Sequence, residues 1–152
     1  MLSLNLPELK VKLSLKEGKP IIYDQVRRKY ISLTPEEWVR QHFVNYLITE
    51  KNYPINLIAN EIAIKLNNTQ KRCDTVIYNC LLEPLVIAEY KAPSIEITSD
   101  VFDQIVRYNM TLKVKYLIVS NGLQHFCCQV DYNSMTYSYL EEIPDYSEIQ
   151  ID

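Results

Sequence analysis

Asp74, Glu89 and Lys91 are charged groups set in otherwise apolar, strand-like sequence, RCDTVIY followed by PLVIAEYK, within residues 71–93. Side chains alternate along a strand, so Glu89 and Lys91 share one face while Tyr90 points to the other. The connector, residues 79–84, is short enough for an antiparallel hairpin, although no Asn-Gly or Asp-Gly pair marks its turn. With Asn79 opposite Pro84, Asp74 falls opposite Glu89 and Arg72 opposite Lys91. A slip of two residues keeps all of them on one face; an odd slip does not. Two carboxylates that close repel each other, and isolated charges in an apolar sheet are costly. The pair therefore calls for a cation, supplied in part by Lys91 and in part by a divalent, oxygen-liganded ion such as Mg²⁺. The competing reading is a solvated sheet face with one Glu/Lys pair, since exposed strand positions are commonly charged.

Such a site needs elements to hold it. Thr34-Pro35-Glu36-Glu37 reads as a helix start, with a Thr cap, Pro in the first turn and Glu37 placed to complete a capping box. The predicted helix runs to about residue 50, with Val39, Phe43, Tyr46 and Leu47 as its apolar stripe. Residues 57–66 read as a strand with Ile58, Ile62, Ile64 and Leu66 as core positions. Glu61 interrupts it, either as an acid near the metal or as an exposed strand residue. Residues 85–91 are apolar at both parities, which predicts a sheet covered on both faces, with Asp74 and Glu89 near an end where the cover thins. Thr98-Ser99-Asp100 caps a second helix, 100–112, with Val101, Ile105, Tyr108 and Leu112 as one apolar row. Gln104 and Tyr108 are four apart on it and so are neighbours. From spacing alone they read as a surface Gln and a Tyr packed on the sheet. A buried-type strand at 115–120, a tight turn at Asn121-Gly122 and strands at 123–130 and 135–140 finish the sheet.

Upstream, residues 9–15 alternate, with Leu9, Val11, Leu13 and Leu15 on one side, a half-buried strand pattern. A turn at residues 17–20 leads to a second short strand. Arg27-Arg28-Lys29 is the densest basic cluster, and reads either as a phosphate contact or as a solvated loop. His42 and His125 have no nucleophile at a recognisable spacing and are read as structural. The order helix, three strands, helix, strand predicts an α/β sandwich with a mixed sheet flanked by helices.

With 152 residues, 47% of them hydrophobic, the chain supports one core. Residues 1–33 are expected to form an extension packed on a 34–152 core within a single domain. The formal net charge of −3 weighs against nonspecific affinity for duplex DNA, although a local basic face is compatible with the acidic run after Leu140. Cys73, Cys80, Cys127 and Cys128 show no zinc-type spacing and are expected to be buried thiols in a reducing compartment. Without a signal peptide or a membrane-length apolar run, the expected location is cytoplasmic. No G-x-x-x-x-G-K-[ST] motif is present, so this sequence carries no nucleotide-driven motor.

Asp74 followed after a hairpin by Glu89-Tyr90-Lys91 resembles the D…ExK signature of the PD-(D/E)XK nuclease superfamily. The segments TPEEWVRQHFVNYL, KRCDTVIYN, VIAEYKAP, FDQIVRYN and KYLIVSNGLQHF occur in order over residues 34–126. Together they resemble, more narrowly, the N-terminal nuclease domain of type I restriction enzyme R subunits in its small stand-alone form. Cys73 stands where a proline often precedes the first acid. The resemblance implies a restriction-endonuclease-like αβββαβ core, here with a β-rich N-terminal extension, and a metal-dependent DNA endonuclease activity. It implies Asp74 and Glu89 as ligands of Mg²⁺, with Mn²⁺ as a substitute, and the Tyr90 backbone carbonyl as a further ligand. Lys91 would orient the attacking water. An acid on the first helix, Glu37, would assist the metal site alongside its structural reading. Gln104 and Tyr108 match a QxxxY pair that orients the catalytic strand or contacts DNA, with Arg107 and Arg72 as further DNA-contacting or site-supporting residues. Implied partners are DNA, a second copy of the chain, or restriction-system subunits encoded elsewhere. Two alternatives stay open: a non-catalytic nucleic-acid-binding or assembly module of the same fold, and a plain α/β domain.

Overall fold

The computed structural model describes residues 3–149. A leader sheet comes first, formed by β1 (Leu13–Lys16), β2 (Lys19–Asp24) and β3 (Lys29–Ser32), antiparallel in that order. The alternation at residues 9–15 predicts a longer, half-buried strand than is found. All four residues of β1 are exposed, Leu15 at 70%. Only β2, with Ile22 and Asp24 buried, turns a face to the rest of the molecule, and β1 is left as an edge.

Helix α1 (Pro35–Glu50) starts as its sequence dictates, with Thr34 Oγ1 accepting the Glu37 N–H at 3.0 Å. The expected capping box is only half formed. The Glu37 carboxylate turns instead to Arg40, Gln41 and Arg27, because a guanidinium is a stronger partner than a neutral backbone N–H.

The main sheet has six strands in sequence order: β4 (Ile58–Leu66), β5 (Thr69–Tyr78), β6 (Pro84–Tyr90), β7 (Tyr116–Ser120), β8 (His125–Asp131) and β9 (Thr136–Leu140). Every pairing is antiparallel except β6 with β7, whose parallel run follows the crossover through α2 (Ser99–Met110). The expected order of helix, three strands, helix and strand is the one found. Alternation on the strands splits the core in two. On one face, Phe43 and Leu47 of α1 pack against Ile77, Val86, Ala88, Ile118 and Cys127. On the other, Phe102 and Val106 of α2 pack against Val76, Ile87, Leu117, Val119 and Cys128. Full burial of each such side chain is worth about 1.5–3 kcal/mol, so this double cover is what fixes the strand parity on which the site depends.

On α2 the buried row is Phe102, Val106 and Met110; of the expected row, Val101 and Ile105 are half-buried and Tyr108 is 56% exposed. The helix is rotated to seat its wholly apolar ring, Phe102, and the tyrosine rides at the edge. Gly122 takes φ +86 in the β7–β8 turn, and a Cβ there would lie 2.8 Å from the side chain of Leu4. The positive φ of the turn therefore requires glycine, and the leader packs directly over it. Cys73, Cys127 and Cys128 are buried as expected, but Cys80 is exposed because it falls in the β5–β6 connector. Among the described residues, no helix is long and apolar enough to cross a membrane.

Candidate active site

The β5–β6 hairpin decides which side chains meet. Near its turn Tyr78, not Asn79, lies opposite Pro84, one residue away from the expected register. A bulge between Ile77 and Tyr78 absorbs the difference, so that Thr75 pairs with Ala88, Val76 with Ile87 and Ile77 with Val86. Extended by one residue, that register sets Asp74 against Glu89, as expected at this end. The backbone ladder stops there. Asp74 Oδ2 accepts the Tyr90 N–H at 2.9 Å, so a side chain replaces the next rung.

A cleft of about 500 Å³ opens at this point, lined by Arg72, Asp74, Glu89, Tyr90, Lys91, Gln104, Ile105 and Tyr108. It thus gathers residues that the sequence singles out on two strands and one helix. Lys91 is fixed just past β6 by its N–H, which donates to the Ser120 carbonyl at 2.9 Å. Glu89 is held well above the ordinary carboxylate range, pushed up to about 9 by burial first and then by the charge and hydrogen bonding of Asp74. Lys91 counters this only in part. The two carboxyls therefore share one cleft with Lys91 and Arg72.

Glu37 lies elsewhere, in a smaller recess shared with Thr34, Glu36, Arg40, Glu61, Asp74 and Tyr90. Its Oε1 accepts from Arg40 at 2.7 Å and Arg27 at 3.2 Å; its Oε2 accepts from Arg40 and Gln41, each at 2.9 Å. A carboxylate so fully engaged has little left for an ion. Glu61 joins the same cluster, with oxygens on Arg40 at 2.8 Å and Arg72 at 3.0 Å. Burial raises its pKa, but these two guanidiniums outweigh that and hold it below its ordinary value. Arg107 is not in the cleft; it pairs with Asp103 one turn earlier, at 2.9 Å. Arg72 is 68% exposed at the rim. Of the basic cluster in the β2–β3 turn, Arg27 is spent on Asp24 and Glu37, while Arg28 and Lys29 are exposed.

Sequence reasoning misses three features. Arg40, 7% exposed, donates to the Asp74 carbonyl at 2.6 Å and to both Glu37 and Glu61. Lys71 stands 3.6 Å over the Tyr108 ring and donates to the Tyr108 carbonyl, tying β5 to the end of α2 that carries this cleft residue. Ser120 Oγ lies 2.7 Å from His125 Nδ1, across the β7–β8 hairpin, so His125 does have a serine neighbour. Its other nitrogen is 2.9 Å from the Asn5 carbonyl, and Ser120 is fully buried, so the pair ties the leader down and leaves no exposed nucleophile. His42 packs against Trp38 and is bonded to its carbonyl, a structural role as expected.

Among the described residues, no group of three or more His, Cys, Asp or Glu side chains gathers to hold a metal. A two-carboxylate set still suits Mg²⁺, which typically keeps several waters and binds one or two carboxylates together with substrate phosphate. Two carboxylates facing one open cleft, with the Tyr90 backbone between their strands, are the observation that favours this fit.

Comparison with known proteins bears on the same region. The family model described as the N terminus of the type I restriction enzyme R protein matches residues 35–144. Among solved structures, a fragment assigned to the HsdR subunit of a type I restriction enzyme from Vibrio vulnificus YJ016 superposes with a TM-score of 0.53 at 18% identity. The match covers 77% of this chain and 24% of that one, so the chain spans about a quarter of its structural neighbour. At that identity the likeness shows the fold. A search of curated proteins gives no match.

Proposed function

Because the chain belongs to the family of type I restriction enzyme R protein N-terminal domains, we propose that the Asp74–Glu89–Lys91 cleft hydrolyses DNA phosphodiester bonds with the aid of Mg²⁺. The single observation that carries this reading is the meeting of Asp74, Glu89 and Lys91 in one open cleft beside Gln104 and Tyr108. Asp74 and Glu89, with the Tyr90 carbonyl, would hold the ion, and Mn²⁺ would serve in its place. When bound, the ion lowers the pKa of a coordinated water and screens charge on the phosphate. Lys91 orients the attacking water and stabilises the negative charge that grows in the transition state. A carboxylate at that position would repel phosphate. Gln104 and Tyr108, on the exposed rim, and Arg72 contact DNA or orient the catalytic strand.

Other restriction-system subunits and a second copy of this chain are the candidate partners besides DNA. The competing reading is a DNA-binding or assembly module that keeps the fold without catalysis. Incubation with linear, supercoiled and single-stranded DNA plus Mg²⁺ or Mn²⁺ separates the two. Cleavage should appear with the ion, vanish with chelator, and fall on the order of 10²-fold or more in Lys91→Ala. Equal cleavage by the folded Lys91→Ala protein would refute the assignment, and ion-independent DNA binding without cleavage would favour the module.

A further inference from the structure

We propose that Arg40 is the positioning residue of this site, and that it is the end of a brace running from the leader strand β2 to Asp74 and Tyr90. The inference rests on the reading of Asp74 as a site residue.

The reason begins in the β4–β5 pair. Asn60 lies opposite Thr75 and Ile62 opposite Cys73, but the rung between them is broken, because Glu61 adopts φ +54. A left-handed non-glycine residue costs roughly 1–3 kcal/mol and persists only where its surroundings over-determine it. Here the over-determination is visible. The Asp74 carbonyl, next to the break, is taken by Arg40 at 2.6 Å, and the Glu61 carboxylate is gripped by Arg40 and Arg72. One guanidinium thus fastens both sides of the irregular rung, and the same irregularity leaves the Asp74 side chain facing the Tyr90 N–H.

Arg40 is itself held from the leader. Glu37 chelates it through both oxygens, and Arg27 in the β2–β3 turn bonds the same Glu37. Arg27 Nε reaches Asp24 at 2.6 Å. Asp24 is fully buried and is the hub of a second line. It accepts from Asn60 at 3.1 Å, Asn60 accepts from Thr75 at 2.8 Å, and Thr75 accepts from the Tyr90 hydroxyl at 2.9 Å. Two hydrogen-bonded lines therefore leave Asp24 and finish on Asp74 and Tyr90, the two residues joined where the ladder stops. Arg27, Arg40 and Arg72 face Asp24, Glu37 and Glu61, so the cluster is charge-balanced and makes no demand on the cleft. Lysine could not replace Arg40, because these bonds require a planar fork of several donors. Asp24 and Arg27 lie ahead of residues 35–144, so the brace makes the leader part of the site.

The test is amide hydrogen exchange by NMR on the metal-free protein. In Arg40→Met, the Tyr90 amide should exchange about tenfold faster or more, the scale expected for losing a charge-assisted anchor, while Ile118 and Val119 in β7 are unchanged. Arg40→Lys should fall between that variant and wild type. Arg27→Gln, at the edge of the cluster, should shift Tyr90 the same way by less, and it serves alone if Arg40→Met does not fold. Unchanged Tyr90 protection in these variants would overturn the brace. A Mn²⁺ titration of the same proteins should show the affinity dropping in step with Tyr90 protection. Altered exchange in a protein whose wild type takes no Mn²⁺ would uphold the brace and refute the nuclease reading.

Discussion

Asp74 Oδ2 accepts the backbone N–H of Tyr90 at 2.9 Å, directly beyond the last paired rung of β5 and β6, Thr75 opposite Ala88. This bond lets one strand end hold the other while exposing carboxyl oxygens to the cleft. It sets Asp74 beside Glu89 in the cleft, where its charge helps to push the Glu89 carboxyl up, and each expectation below follows from that arrangement or from the packing that enforces it.

Glu89→Gln removes one member of the crowded pair. The metal-free variant should melt higher than wild type near neutral pH, by ~2–4 °C for each kcal/mol relieved, and should gain nothing at pH 4, where wild-type Glu89 is protonated in folded and unfolded states alike. Thermal melts at both pH values check this. The variant should also lose any stabilisation by Mg²⁺.

The pH dependence of the metal-free wild type has two limbs. Glu89 is pushed above its ordinary value of 4.5 to about 9, so the folded protein retains a proton that the unfolded chain gives up. That contribution is complete below pH 4.5 and is lost as pH rises through 9. Asp24 is held below its ordinary value, because hydrogen bonds from Arg27 and Asn60 outweigh its burial, and Glu61 is lowered by Arg40 and Arg72. Their contribution is lost as pH falls through those depressed values. Urea unfolding across pH should show a decline on both sides, with added Mg²⁺ flattening the alkaline side alone.

Tyr90→Phe deletes the hydroxyl bonded to Thr75 and leaves the Tyr90 N–H and carbonyl in place. The expected cost is about 0.5–1.5 kcal/mol of stability, with cleavage lowered but not abolished, since the line through Arg40 to Asp74 stays intact. Paired denaturation and activity measurements separate the ring's structural contribution from the main chain's part in the site.

Phe102→Ala opens the core between α2 and the sheet, where the ring is 1% exposed against Phe126, Tyr137 and Tyr139. The expected loss is about 3–5 kcal/mol. Since α2 also carries Gln104 and Tyr108 to the rim, DNA affinity should fall even where the variant remains folded, as measured by titration.

Much of this was legible in the sequence. The double-parity apolar run of β6 announced a sheet covered on both faces, Thr34-Pro35 marked the start of α1, and the hairpin register at Asp74 and Glu89 came out right although the turn is offset by a bulge. Periodicity reports averaged burial, so it placed Tyr108 in a packed row when rotation of α2 around Phe102 leaves it exposed. It likewise gave β1 a half-buried face that an edge strand does not have. Arg40 was invisible for a different reason. Its Asp74 and Glu61 partners lie 34 and 21 residues away, brought together only by the docking of α1 on the sheet, and no local pattern encodes that meeting. Glu37 was correctly placed on the first helix, yet its neighbours turn its carboxylate to a different use from the one a capping box suggests.

Calorimetric titration of Mn²⁺ into the wild type, Asp74→Asn and Glu89→Gln at pH 7.5, roughly within the ordinary working range, tests the central claim most directly. The expected result is one ion per wild-type chain with proton release, seen as a heat that varies with buffer ionisation, and loss of that site in both variants. An ion bound with undiminished affinity by either variant, or no ion bound by the wild type even with DNA present, would contradict it.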